Sequence, residues 1–459
     1  MRNEWMILRD KLLFKTEPDH FKDEMENVRK EWKIRFEAGS PAQKLEIIAL
    51  VKELTVDMKS YLPNWHLLKN GAKVTKAIID FEANKNIGIL NEWGAVDAVN
   101  YIAKEISDMD KSSLIRLSEM SDNGKINTRW GNDYATGLTH ALRRGAVLVT
   151  TNPPLIDIAR KSNPEMWNPV RDRLKAENPT MNTEKLCSLM TMQVVLENCI
   201  EIRPIYDATL GKYGYVSLQV NPKNYTDSQG MIDEAESLYA QLKEKLGGTP
   251  NVVFKIPATK AGIGAVERLT AQGIGVNVTV NFAVSQELVF AEAIEKGNAK
   301  TSFLTLMSGR LDDPIRDELL KAGIEEASEV SKWGGIAVGR RVYDLVYRQK
   351  GFKKSFLLQA SLRGPWHIDE LVTDEQYTVF VTVFPDKAQE YDKVSRDIRP
   401  RINEDIPAKM LKKLYKSKIF TQAYEPNGLS LDDFDNYFPV AVTLKAFAKA
   451  YDEFLEYLM

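Results

Sequence analysis

Apolar residues in the first 120 positions recur every three or four places. The stretches Met1–Leu13, Phe21–Phe36, Ala42–Leu62, Ala72–Ala83 and Ala95–Met109 each carry one such stripe. That spacing is helical. Ser40-Pro41 reads as an N-cap followed by a helix-starting proline. Breaks fall at Pro63-Asn64, Asn70-Gly71 and Asn84–Asn91. No strand-like alternation stands out here, so residues 1–120 predict an α-helical extension.

The pattern then changes. Short β-rich runs appear at Ile126–Trp130, Ala146–Thr150, Tyr215–Val220, Asn251–Ile256, Gly275–Val280, Thr301–Leu306, Ser355–Gln359 and Tyr377–Phe384. Helical stretches such as Asp233–Leu246, Gly262–Gln272, Ala283–Lys296 and Asp313–Ser331 lie between them. Strands joined by helical crossovers predict a parallel sheet with both faces covered. Eight strands is the number that closes a β/α barrel. An open doubly wound sheet is the structural alternative. The reading is an α/β chain: a (β/α)8 TIM barrel over 121–398, the helical extension over 1–120, and a C-terminal helical segment over 399–459 that packs on the barrel. That tail ends in an amphipathic stretch, Phe438–Leu458.

Composition narrows the function classes. The 459 residues are 44% hydrophobic and 27% charged, an ordinary globular balance. A net charge of −2 gives no overall basic field for nucleic acid or an anionic membrane, so neither is expected as a partner. Cys187 and Cys199 are too few for a disulfide framework and read as buried, inert thiols. Charged residues interrupt the apolar N-terminus, unlike a signal peptide. No apolar run reaches the roughly 18–20 residues of a membrane helix. A cytoplasmic location is expected. His20, His66, His140 and His367 are scattered, and no His or Cys pair has metal-ligand spacing, so no metal is expected. No GxGxxG or GxxxxGK[ST] run supports a nucleotide cofactor.

In a barrel, the C-terminal ends of the strands build the active site. Taken in order, those ends supply Asn132 and Asp133, then Thr150-Thr151-Asn152-Pro153, then Gln219, Asn221 and Pro222. Lys255, Asn277 and Thr279, Thr305 and Arg310, and Ser361 and Arg363 follow. Lys255 is the unusual residue, because alternation puts it on the same side of its strand as Val253. Burial there would lower its pKa toward neutrality, and a neutral amine can attack a ketone. A lysine paired with a carboxylate or reaching water is the plain alternative.

The motifs favour the nucleophile. Lys255-Ile256-Pro257-Ala258-Thr259-Lys260-Ala261-Gly262, then Gly273-Ile274-Gly275-Val276-Asn277-Val278-Thr279, then Phe282 and Gln286, closely resemble transaldolases. Thr150-Thr151-Asn152-Pro153, Gly309-Arg310 and Ala360-Ser361-Leu362-Arg363 agree. The resemblance spans about 130–385 and leaves out the extension and the tail. It implies a cofactor-free reaction in which Lys255 forms an imine with a ketose phosphate or another anionic sugar. Asp133, in an Asp-x-Ala pattern, would be the acid/base, with an N-cap of the following helix as its plain alternative. Thr279 and the residue at 219 would hold a water. Asn152, Asn277 and Thr305 would bind hydroxyls, and Arg310, Ser361 and Arg363 the phosphate. A dihydroxyacetone unit would pass from the ketose to an aldehyde acceptor, as in carbohydrate metabolism of the pentose phosphate kind.

Some positions depart from the family pattern. Gln219 stands where transaldolases have glutamate, and the related fructose-6-phosphate aldolases, which release dihydroxyacetone, also have glutamine. Thr305-Leu306-Met307-Ser308 replaces the usual Ser-Pro-Phe-Val, and Pro154 replaces a serine. An aldolase therefore stands as the second reading. A barrel without catalysis, serving as a binding or scaffold protein, is the third. The joint presence of Lys255, Asn277, Thr279, Arg310 and Arg363 argues against that third reading. Assembly into a homo-oligomer is left open by the sequence.

Overall fold

Each β-rich run alternates two sets of side chains, and a closed barrel satisfies both. The computed structural model describes residues 3–62, 64 and 74–459. It contains eight parallel strands: β1 Thr128–Asn132, β2 Leu148–Val149, β3 Tyr215–Gln219, β4 Val252–Pro257, β5 Val276–Asn281, β6 Ser302–Leu306, β7 Ser355–Gln359 and β8 Val379–Val383. They pair in chain order, and β8 returns to β1. The sheet is closed, so the doubly wound alternative falls.

One side-chain set packs outward on the helices. Phe254 of β4, for example, meets Tyr239 of helix Ser228–Leu246 with ring centroids 6.5 Å apart. The other set fills the barrel. Phe303 stands edge-on to Tyr215 and Phe380 at 6.4 and 5.2 Å, and Phe356 to Phe380 at 5.5 Å. These rings plug the N-terminal half. Two residues further along the same strands come Ser217, Thr305 and Thr382, and register pairing sets Gln219 beside Lys255 beside Asn277. Alternation thus makes the barrel apolar at one end and polar at the other.

Helices Phe21–Ala38, Pro41–Lys59, Lys76–Glu92, Val96–Asp110 and Ser113–Asp122 make up most of the extension. Ser40 caps as expected: its Oγ accepts from Gln43 N–H while Gln43 Oε1 accepts from Ser40 N–H. The break expected at Asn84–Asn91 is absent, because those residues lie inside helix Lys76–Glu92. Ile79, Ala83, Ile89 and Leu90 are buried there and Asn86 accepts from Arg29, so packing outweighs weak local propensity. The expected breaks at Pro63 and Asn70-Gly71, the start of the stretch at Ala72, and His66 lie outside the described residues. The single helix expected at Asp313–Ser331 is two, Ser308–Lys321 and Ala327–Ser331, separated at Gly323 with φ 72°.

Both terminal regions attach to the barrel. Arg143, after the short helix Leu138–Leu142, donates to Asp57 at 2.7 Å and Glu53 at 2.8 Å on helix Pro41–Lys59. The C-terminal helix Phe438–Leu458 lies at the polar end, where Phe447 packs beneath the Arg310 guanidinium at 5.6 Å. Tyr457 fastens its far end by donating to Asn168. Among the described residues no helix is long and apolar enough to cross a membrane.

Candidate active site

Lys255 owes its setting to a strand of β-branched and aromatic neighbours, Val252-Val253-Phe254-Lys255-Ile256, that belongs in a core. The inward alternation puts the amine among the polar residues, 5% exposed. It makes no hydrogen bond or close ion pair among the described residues, and the Asp133 carboxylate acts on it only through charge. Burial lowers its pKa to about 8; the charge of Asp133 opposes the shift and that of Arg310 adds to it.

Asp133 lies one residue beyond β1, which runs to Asn132 rather than ending at Trp130. Its backbone N–H still donates to Val383 of β8. Burial pushes its carboxyl above the ordinary range, against the pull of Lys255, Thr150 and Arg310. Thr150 Oγ1 donates to Oδ1 at 2.7 Å. The N-cap reading of Asp133 is overturned, because the next helix begins at Leu138 and is capped by Gly137 in the left-handed conformation. A buried amine of reduced basicity and a buried carboxyl of raised pKa therefore share one chamber.

Hydrogen-bonding groups surround them. Thr305 Oγ1 donates to Asn277 Oδ1, and the Asn277 amide Nδ2 is buried without a partner among the described residues. Gln219 Oε1 is likewise buried and, among the described residues, unpartnered. Thr279 sits in a bulge where β5 slips against β6 and the next residue, Val280, takes φ 54°. Its hydroxyl contacts Met307 Sδ at 3.9 Å, so Met307 shapes this side of the pocket. Asn152 uses its Oδ1 to cap helix Pro153–Ser162, accepting from Leu155 N–H at 3.0 Å; its amide group is not used in that bond.

The far end is cationic. Helix Ser308–Lys321 starts directly after β6 and aims its N-terminus at the mouth. Gly309 is required there, since a Cβ would stand 2.1 Å from the Ser361 carbonyl oxygen. Arg310 makes no hydrogen bond among the described residues. Burial, with the like charge of Arg363 second, lowers its pKa. Arg363 is more exposed, its guanidinium held by Asp313 at 2.7 Å and by the Ser361 carbonyl at 3.1 Å. Two guanidiniums beside a helix N-terminus can together hold an anion, Arg310 being the one without an ion-pair partner among the described residues.

Sequence reading missed two contributors. His367, set aside as scattered, is fully buried against Asp312 at 2.8 Å. No spacing could reveal that pair, because only the closure of β6 beside β7 unites it. The sequence marks Phe438–Leu458 as amphipathic but carries no sign of its place over the mouth. Among the described residues no cluster of three or more His, Cys, Asp or Glu could hold a metal.

Comparison with known proteins agrees with this geometry. Residues 137–453 match the family model described as Transaldolase/Fructose-6-phosphate aldolase. A transaldolase of Thiobacillus denitrificans is 27% identical over 250 residues, covering 49% of this chain and 67% of that protein. Transaldolase 1 of Streptomyces avermitilis is 32% identical over 207 residues, 43% of this chain and 53% of its own. A Parafrankia transaldolase is 29% identical over 256 residues, 53% and 65% respectively. The chain thus spans about half to two thirds of these relatives. The match runs through residue 453, so the tail, expected to fall outside the resemblance, lies largely within it. The helical extension, β1 and Asp133 precede it.

Proposed function

We propose that this chain, which belongs to the transaldolase/fructose-6-phosphate aldolase family, is a Schiff-base enzyme that moves a dihydroxyacetone unit from a ketose phosphate, or a similar anionic sugar, to an aldehyde. The observation that carries the reading is Lys255: a buried amine with pKa about 8 facing the buried Asp133 carboxyl. The Lys255 Nζ lone pair attacks the C2 carbonyl, and loss of water leaves a protonated imine. Asp133 takes the C4 hydroxyl proton, the C3–C4 bond breaks, and its electrons pass into the imine as an enamine. The remaining carbons leave as an aldose phosphate. The C3 carbon of the enamine then attacks the acceptor aldehyde, Asp133 returns its proton to the new alkoxide, and water hydrolyses the imine. The imine is its own electron sink, so the scheme calls for no metal or organic cofactor.

The remaining residues fit this scheme. The unpartnered Asn277 amide, the Thr305 hydroxyl and Asn152 suit the dihydroxyacetone hydroxyls. Gln219 and Thr279 suit the hydrolytic water. Arg310, Ser361 and Arg363 suit the dianion, with Arg310 the side chain ready to accept it. The fold and family agree with a soluble enzyme acting in the cytoplasm on sugar phosphates.

A second reading, an aldolase that releases dihydroxyacetone, is favoured by Gln219, because an amide holds a water but cannot serve as its base. One experiment tests both. The protein is incubated with fructose 6-phosphate, reduced with borohydride and mapped by peptide mass spectrometry. A dihydroxyacetone adduct on Lys255 supports the imine scheme; an unmodified Lys255 after trials with several anionic ketoses would sink it. Free dihydroxyacetone in the absence of any acceptor selects the aldolase.

A further inference from the structure

The loop after β7 holds Ser361 at φ 63°, a conformation that non-glycine residues resist. Something must fix that loop, and Asp312 lies at the centre of what does. His367 is fully buried, and its Nδ1 accepts the backbone N–H of Arg363 at 3.1 Å. That bond assigns the proton of the neutral ring to Nε2, which donates to Asp312 Oδ2 at 2.8 Å. Asp312 Oδ1 accepts the Gly335 N–H at 2.8 Å. One carboxylate thus joins helix Ser308–Lys321, the 361–367 loop and helix Gly334–Val342. The neighbouring Asp313 takes the Arg363 guanidinium at 2.7 Å. Arg363 is therefore fixed twice, by its backbone through His367 and by its side chain through Asp313.

We propose that His367 and Asp312 are positioning residues for the anion-binding end. They set Ser361 and Arg363 against Arg310 without touching the ligand. The inference deepens the reading given above of Arg310, Ser361 and Arg363 as the phosphate-binding group, and rests on it.

Two variants test it, Asp312→Asn and His367→Leu. Asp312→Asn keeps the volume and the acceptor for Gly335 but turns an NH2 toward the His367 Nε2–H. The ring can accept that donor only by moving its proton to Nδ1, where it meets the Arg363 N–H. Either tautomer loses one bond. The probe is inorganic phosphate, titrated calorimetrically into wild type and both variants. In parallel, dihydroxyacetone, which has no phosphate, is captured on Lys255 with borohydride. Both variants should bind phosphate about tenfold more weakly or worse, the scale of a lost hydrogen bond to a charged group. Capture should run at the wild-type rate.

Unchanged phosphate affinity in Asp312→Asn would overturn the inference, as would a wild type that binds no phosphate. Capture that falls in step with phosphate affinity would also overturn it, since that marks general loss of structure. Asp312→Asn is isosteric and keeps the test decisive should His367→Leu fail to fold. Absence of capture in wild type, with phosphate binding weakened as expected and melting temperatures unchanged, would remove the Schiff-base reading and leave this inference standing.

Discussion

At the scale of single residues, the proposed chemistry turns on how burial moves two protons. Lys255 in water would be protonated at neutral pH; at pKa about 8 it supplies a sizeable neutral fraction. Below that value, each pH unit should slow imine formation roughly tenfold, because only the free amine attacks. The rate of borohydride-trapped adduct against pH measures this directly, and a flat profile between pH 6 and 8 would contradict the assignment. In the proposed scheme Asp133 acts later, at bond cleavage. Asp133→Asn should therefore cut turnover by about 10²–10⁴ while still forming an imine. Trapping with fructose 6-phosphate should then yield the whole hexose phosphate adduct in place of the dihydroxyacetone adduct. Lys255 stands out in the sequence as a lysine inside an alternating apolar strand, but spacing alone favours a paired or water-reaching amine, and only the motifs around it favour the nucleophile. Asp133 was legible only through the family pattern, since its strand appeared to end at Trp130. The ladder with β8 carries β1 two residues further, and a pairing partner 251 residues away leaves no local signal. His367 was not legible at all, for the same reason.

At the scale of elements, all eight strands could be read, because alternation and β-branched content are local properties. Helix Ser113–Asp122 could not, since its burial comes from packing on β1, and Asn84–Asn91 reads as a break until Arg29 and the apolar neighbours are in place. The C-terminal helix raises the more consequential question. Its Phe447 is buried and packs against Arg310, so helix and site share a side chain. Phe447→Ala should destabilise the fold by about 3–5 kcal/mol, the usual result of emptying a phenylalanine site. The same change removes the contact that helps to orient Arg310. The Michaelis constant for a phosphorylated ketose should therefore rise more than that for dihydroxyacetone. Urea denaturation and paired kinetics check the two effects separately. Equal changes in both constants would mean that the helix covers the mouth without orienting the arginine.

At the scale of the whole molecule, the extension and the barrel share one core. Leu12, Trp32, Leu50 and Leu54 belong to the same continuous set of buried contacts as Val149, Val216 and Phe254. The sequence showed the extension as helical but could not show how it is held, because the anchor is electrostatic and non-local. Arg143 comes from the barrel, Asp57 and Glu53 from the extension, and Asp57 is completely buried. Burying such a carboxylate is tolerable only while its partner is present. Arg143→Ala removes the hydrogen-bonded partner and leaves buried Asp57 with the Arg9 guanidinium alone, 4.0 Å away, and should cost up to about 3–5 kcal/mol, beyond an exposed ion pair at roughly 0–1 kcal/mol. A pair out of contact with water is weakly screened, so this loss should persist at high salt. If the shared core governs unfolding, wild type should lose extension and barrel in one cooperative transition in urea. Arg143→Ala should then move the midpoint without splitting it. Two transitions would mean that the extension folds independently and is only docked. The Lys255 trapping rate, followed along the same titration, would show which transition the active site belongs to.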